Sequence, residues 1–157
     1  MDRALHLFAD DLVVGFRFRG EVKLLTAEHF AQFSTLTGDK HPIHYDAAYA
    51  AKTRFGRPLA HGLLLTALTA LGATALSTSL EDAMIALLEQ HMQFLHPAFV
   101  GDVVVPEYEV VSNSPTGSGR TARVEIAVTL LKPGGEPLMK GRHVYLLRRR
   151  PDAADPE

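Results

Sequence analysis

Between Thr121 and Leu131 the side chains Ala122, Val124, Ile126, Val128 and Leu130 alternate with Thr121, Arg123, Glu125 and Thr129. A period of two predicts a strand with one buried and one wetted face. Runs from Met84 to Leu95, Val103 to Val111 and Leu138 to Leu147 have the same character, and turn-rich stretches such as "SNSPTGSG" and "KPGGEP" separate them. The second half of the chain therefore predicts antiparallel strands. Pro106, which has no N–H to donate, predicts an edge or a bulge in the second of them.

The first half follows a different period. Leu12 to Phe18 alternates weakly and predicts a first strand, closed by Arg19 and Gly20. Thr26 offers a capping oxygen, Phe30, Phe33 and Leu36 recur at helical spacing, and Gly38 is suited to end that helix. Pro42 disfavours helical geometry at His41, so Asp39 to His44 is predicted to be a turn or extended loop. Asp46 then caps a second short helix in "AAYAAKT", and "RFGRPLAHG" is an irregular link.

From Ala60 to Leu80, "AHGLLLTALTALGATALSTSL" contains no charged residue and predicts one long helix beginning near His61 or Gly62. Its length approaches that of a bilayer span. Thr66, Thr69, Thr74, Ser77 and Ser79 favour a helix buried in protein instead, with a thin polar stripe on an apolar rod. Such a helix needs cover on most sides. A sheet curled around it buries both, which is an α+β layer architecture.

Composition narrows the classes. At 157 residues the chain suits one domain, over 1–150, with a disordered tail at 151–157. Hydrophobic residues make up 46% and charged residues 22%, the balance of an ordinary globular protein. A net charge of −2 with mixed signs provides no basic field for nucleic acid. The absence of cysteine removes disulfides, thiolate metal sites and a cysteine nucleophile. "MDRALHLFADDLVVGF" lacks the layout of a signal peptide, so a cytoplasmic protein is expected.

The candidate chemistry lies in "TGDKHPIHYD", where Asp39 and His44 flank Pro42. A proline-bent loop can aim an acid and an imidazole at one small volume, an arrangement suited to adding or removing water by proton transfer. Spacing leaves other readings open. Asp39 can serve the backbone at a helix end, His44 can be structural, and Asp39, His41 and His44 are all metal-ligand types. Gly62 at the first turn of the long helix offers an unblocked N–H to a developing oxyanion, or simply permits close packing.

Taken as a whole, "FSTLTGDKHPIHYDAAYAAKTRFGRPLAHGLLLTALTALG" resembles the MaoC-like hydratases and dehydratases, which include the (R)-specific enoyl-CoA hydratases. Their motif is similar to D-x-N-P-[IL]-H, then Y or L and D, then R-P-[IL]-x-H-G. The later "FLHPAFVGDVV" looks like the family's phrase before a core strand. The resemblance implies a hot-dog fold of the α+β class, a long central helix wrapped by an antiparallel β-sheet, paired into a homodimer with active sites near the interface.

It also implies that Asp39 and His44 are the catalytic pair. They act on a water that adds across the trans-2 double bond of an acyl-CoA or acyl-carrier thioester, or leaves it, with Gly62 as the oxyanion donor and no metal or organic cofactor. His41, His61 and Arg57 fall at substrate-binding positions. The chain departs from the family at His41, where the motif has asparagine. Lys40, Lys52, Arg54 and Arg57 are cations for a phosphate arm, or solvated surface charge. The competing functions are a hot-dog acyl-CoA thioesterase and a non-catalytic MaoC-like subunit that binds acyl-CoA.

Overall fold

A computed structural model describes residues 6–151 of the chain, so the expected tail lies, from residue 152 onward, outside the described residues. Its frame is one antiparallel sheet. The strands are β1 (Arg17–Arg19), β2 (Lys23–Leu24), β3 (Met84–Phe94), β4 (Val103–Pro115), β5 (Thr121–Leu131) and β6 (Pro137–Arg148). They run in the order β1-β4-β5-β6-β3, with β2 also pairing to β4.

The alternation predicted for β5 is realised. Ala122, Val124, Ile126, Val128 and Leu130 are all buried, each 1% exposed or less. With Tyr108, Val110, Tyr145, Leu147 and Leu71, the first four build one core cluster. Leu130 joins a second cluster with Phe30, Leu64, Leu65, Leu138 and Met139. Fully burying a side chain of this size contributes about 1.5–3 kcal/mol.

Pro106 sits where the outer partner of β4 changes. β1 pairs with Glu107 to Glu109 and β2 pairs with Val103 and Val104. Between them the Gly20 N–H donates to the Pro106 carbonyl at 2.9 Å. On a strand the N and O of one residue face the same neighbour, so the missing N–H falls on this discontinuous side. β4 is thus not an edge strand, the proline sitting instead at the gap between its two outer partners, and the bulge lies elsewhere, between Val110 and Ser112.

Helix α1 (Ala27–Thr37) has the predicted ends. Thr26 Oγ1 accepts the His29 N–H at 3.3 Å, and His29 Nδ1 accepts the Thr26 N–H at 3.2 Å. Gly38 closes the helix at φ 77° with its N–H on the Ser34 carbonyl at 2.8 Å. The first strand differs from its prediction. Ala9–Asp11 forms a 3₁₀ turn, Gly15 takes a φ of 89°, and β1 begins only at Arg17. The Asn113 amide donates to the Ala9 and Leu12 carbonyls at 2.7 and 3.0 Å, and this holds the buried Leu12 in a turn. Arg149 and Arg150, just after β6, pair with Asp10 and Asp11 in the same turn.

The long helix is also corrected. It is divided into α3 (Gly62–Ala67), a 3₁₀ turn at Leu71–Ala73, and α4 (Leu76–Ser79), with α2 (Ala47–Ala50) earlier in the chain. Two of the hydroxyls read as a polar stripe bond locally where it breaks. Thr69 Oγ1 donates to the Thr66 carbonyl at 2.7 Å and Thr74 Oγ1 to the Leu71 carbonyl at 2.7 Å. Such local bonds compete with the helical ladder. The sheet takes up the backbone groups released: Tyr108 Oη donates to the Thr69 carbonyl at 3.1 Å, and the Leu71 N–H donates to Tyr145 Oη at 3.2 Å. Every buried backbone polar group needs such a partner.

Behind this break His143 is 1% exposed, with Nε2 3.0 Å from the Gln90 amide nitrogen and Nδ1 3.2 Å from Tyr145 Oη. An amide nitrogen only donates, so His143 Nε2 accepts and the ring is neutral. Burial pushes its pKa down to about 4, in agreement. The architecture is the α+β hot-dog, with a central helix in pieces. Among the described residues no helix is long and apolar enough to cross a membrane.

Candidate active site

The loop after α1 is held by its own polar side chains. Asp39 Oδ1 accepts the His41 N–H at 3.2 Å, and the Asp39 N–H donates to Thr37 Oγ1 at 3.3 Å. His41 Nδ1 accepts the Ile43 N–H at 3.3 Å and so caps a 3₁₀ turn at Pro42–His44, which starts on the proline as its fixed φ allows. The Tyr45 hydroxyl donates to the Asp39 carbonyl, and Asp46 Oδ1 caps α2 through the Tyr49 N–H at 2.9 Å.

His44 is tied to the segment that leads into α3. Its Nδ1 lies 2.7 Å from the Leu59 carbonyl. A carbonyl only accepts, so Nδ1 carries the proton and Nε2 is the nitrogen left for chemistry. The Leu59 N–H returns a bond to the Ile43 carbonyl at 3.1 Å, which joins the two stretches at two points. Two residues further on, His61 precedes the first residue of α3, Gly62.

Asp39, His44 and His61 thereby converge, with one ligand-type atom from each within 4.8 Å of the others. Asp39 is exposed, His44 is half-buried and His61 is 2% exposed. The His61 ring stacks on that of His44, centroids 3.7 Å apart and planes 21° from parallel, with Phe33 on it at 4.9 Å. Both His61 ring nitrogens are buried without a hydrogen-bond partner. Burial, and then His44 beside it, push its pKa below the usual value. His61 is therefore neutral near neutral pH.

The stack bears on metal binding. Imidazole lone pairs lie in the ring plane, and two planes so close to parallel do not converge on an ion about 2.0–2.1 Å from each nitrogen.

Gly62 faces a cleft of about 450 Å³ whose walls include Arg54, Phe55, Leu59, Leu65 and Phe94. A Cβ on Gly62 would stand 2.9 Å from Phe94 Cζ, so the absent side chain is space that the Phe94 ring uses. Leu59, whose carbonyl holds His44 Nδ1, and Gly62, which follows His61 in the chain, line this cleft, while Asp39, His44 and His61 themselves are not among its wall residues.

The predicted site residues thus divide. Asp39, His44 and His61 come together with Gly62 next in the chain. His61 lies stacked beneath His44 with both ring nitrogens buried. His41 spends Nδ1 on its own loop and turns edge-on to Tyr49, ring centroids 5.8 Å apart. Arg57 lays its guanidinium over Phe99, 4.1 Å from the ring centroid, while Arg54 lines the cleft. Phe94 was missed; its only sequence mark was its place at the head of "FLHPAFVGDVV".

Residues 15–131 match the family described as MaoC like domain. The chain is 38% identical over 104 residues to the (R)-specific enoyl-CoA hydratase of Aeromonas caviae, covering 66% of this chain and 75% of that one. It is 30% identical over 152 residues to the 3-hydroxybutyryl-CoA dehydratase of Methylorubrum extorquens, covering 96% and 89%. The solved MaoC-like dehydratase from Rhodospirillum rubrum superposes with a TM-score of 0.80 at 27% identity, covering 93% of this chain and 99% of that one. The chain belongs to the MaoC-like dehydratase family.

Proposed function

We propose that this protein is a hydro-lyase that adds water to trans-2-enoyl-CoA thioesters to give (R)-3-hydroxyacyl thioesters, and removes it in reverse. The observation that carries this reading is the convergence of the Asp39 carboxylate and the His44 ring, whose Nδ1 is committed to the carbonyl of Leu59, a residue that lines a cleft together with Gly62. The names of the two curated relatives support the same reaction class.

In the hydration direction water attacks C3 and gives a proton to Asp39, while the imidazolium form of His44 gives its Nε2 proton to C2. A C3–O and a C2–H bond form, and an O–H and an N–H bond break. One proton then passes from Asp39 to His44 to restore the pair. Each such transfer typically contributes about 10²–10⁴ in rate. Charge developing on the thioester oxygen meets the Gly62 N–H, which as the first residue of α3 has no carbonyl one turn back. His61 stays neutral and does not repel the imidazolium. Arg54, at the cleft, meets a phosphate of the coenzyme A arm.

The working unit is a homodimer. β3 is the last strand of the sheet order, 11 residues long, and exposes Ile85, Leu87, Leu88 and Phe94 at 40% or more. An apolar edge of this length needs cover, and a second copy supplies it while bringing the Phe94 end of the cleft to the interface. Light scattering reads the mass of two chains, and the mass of one overturns the pairing.

Crotonyl-CoA tests the reaction. The expected result is loss of the enoyl absorbance with (R)-3-hydroxybutyryl-CoA as product, and no thiol released from butyryl-CoA. Thiol release without water addition favours a thioesterase and ends this reading.

A further inference from the structure

Phe94, the last residue of β3, has a fixed backbone and a free side chain. It pairs in register with Met139, and the next residue donates its N–H to the Leu138 carbonyl at 2.9 Å. The ring projects toward α3 and is still 52% exposed. Cζ, Cε1 and Cε2 come within 2.9–3.3 Å of the point a Gly62 Cβ would occupy, so the ring covers the Cα side of this glycine. Both residues line the same cleft, which at about 450 Å³ is in the lower part of the range of about 300–1,000 Å³ usual for ligand sites.

On the hydratase reading, a thioester carbonyl that accepts from the Gly62 N–H brings the acyl carbons next to it into the cleft that Phe94 also lines. A substituent on C2 competes with the ring for the same space, and a long chain has to pass it to use the apolar wall of Leu59, Leu65 and Ala98. The backbone of β3 cannot yield, because its pairing to β6 holds it.

We propose that Phe94 is a specificity-determining residue that restricts the site to short, C2-unbranched acyl thioesters by closing the cleft over Gly62. This rests on the hydratase reading of the same site, and the test keeps the two apart. Phe94 belongs to neither core cluster, so its replacement leaves the core intact, and light scattering of each variant checks that the proposed pairing through β3 survives it.

The experiment compares wild type, Phe94→Ala and Phe94→Leu on crotonyl-CoA, trans-2-octenoyl-CoA and trans-2-methylcrotonyl-CoA. The ratio of kcat/KM for octenoyl-CoA over crotonyl-CoA rises about tenfold or more in Phe94→Ala, within the 10–200-fold range that pocket size controls. The 2-methyl substrate gains in the same direction, and Phe94→Leu falls between. Ratios unchanged in both variants overturn the proposal. Calorimetric affinities for butyryl-CoA and octanoyl-CoA, which need no turnover, give the second arm. If wild type turns over no enoyl-CoA the hydratase reading fails, while a shift of this affinity ratio toward octanoyl-CoA in Phe94→Ala still supports the role of Phe94, and an unshifted ratio refutes it.

Discussion

The imidazole of His61 lies flat against that of His44, with 3.7 Å between ring centroids and 21° between planes. His44 is thus held on one face by a ring and at one edge by the Leu59 carbonyl, 2.7 Å from Nδ1. The two restraints leave Nε2 pointing in one direction without using a charged partner. Aim of this kind is what general acid–base catalysis requires of its groups.

The floor formed by His61 is a matter of shape, since its nitrogens have no partners. His61→Phe, which keeps a flat ring, is expected to retain most of kcat and the pH–rate profile. His61→Ala, which lets the His44 ring tilt, is expected to lower kcat with a smaller change in KM. Steady-state kinetics across pH decides it. Loss of kcat in His61→Phe as large as in His61→Ala contradicts a positioning role.

Gly62 and Phe94 are expected to be energetically coupled. Gly62→Ala puts a Cβ 2.9 Å from Phe94 Cζ and pushes this half-exposed ring off its rotamer, at a cost on the order of 0.5–1.5 kcal/mol. In a Phe94→Ala background the same change meets open space. Urea unfolding of both singles and the double measures a coupling of about 0.5 kcal/mol or more. Strict additivity shows that some other contact requires glycine at 62.

Acid is expected to weaken the fold through His143. Its folded pKa is about 4 against an ordinary 6.5. Between those values the unfolded chain binds the proton and the folded chain does not, so stability falls as pH drops from 6.5 toward 4 and this contribution levels off below. The full effect is on the order of 3 kcal/mol. Tm measured from pH 7 to pH 4 records it. His143→Gln is expected to flatten that slope, and a slope unchanged from wild type contradicts the assignment.

Where one face of an element meets the core and the other meets water, the chain is legible from its residues. Ala122 to Leu130 show this for β5, and Thr26 with Gly38 mark both ends of α1, because a cap is a local bond. The loop from Asp39 to His44 was equally readable, since Pro42 constrains its neighbours through sterics alone. The break in the helix was not. Thr69 and Thr74 read as a stripe on a rod, and the choice between stripe and break was made by Tyr108 and Tyr145, which lie 39 residues from Thr69 and 74 from Leu71 in the chain. The surroundings of other positions depend on distant packing in the same way. Arg54 and Arg57 are indistinguishable as cations, and only the path of the link places Arg54 at the cleft and Arg57 over Phe99. For His61, read as a substrate-binding position, nothing within a few residues reveals that it is buried.

The central claim is that Asp39 and His44 work on one water as a pair. The direct measurement is kcat for crotonyl-CoA hydration by Asp39→Asn and His44→Ala, with thermal unfolding of each run alongside. Both single variants are expected to lose about 10²–10⁴ in kcat with Tm near wild type, and the double variant to fall little further, as groups acting in one step do. Wild-type turnover in either single variant contradicts the account.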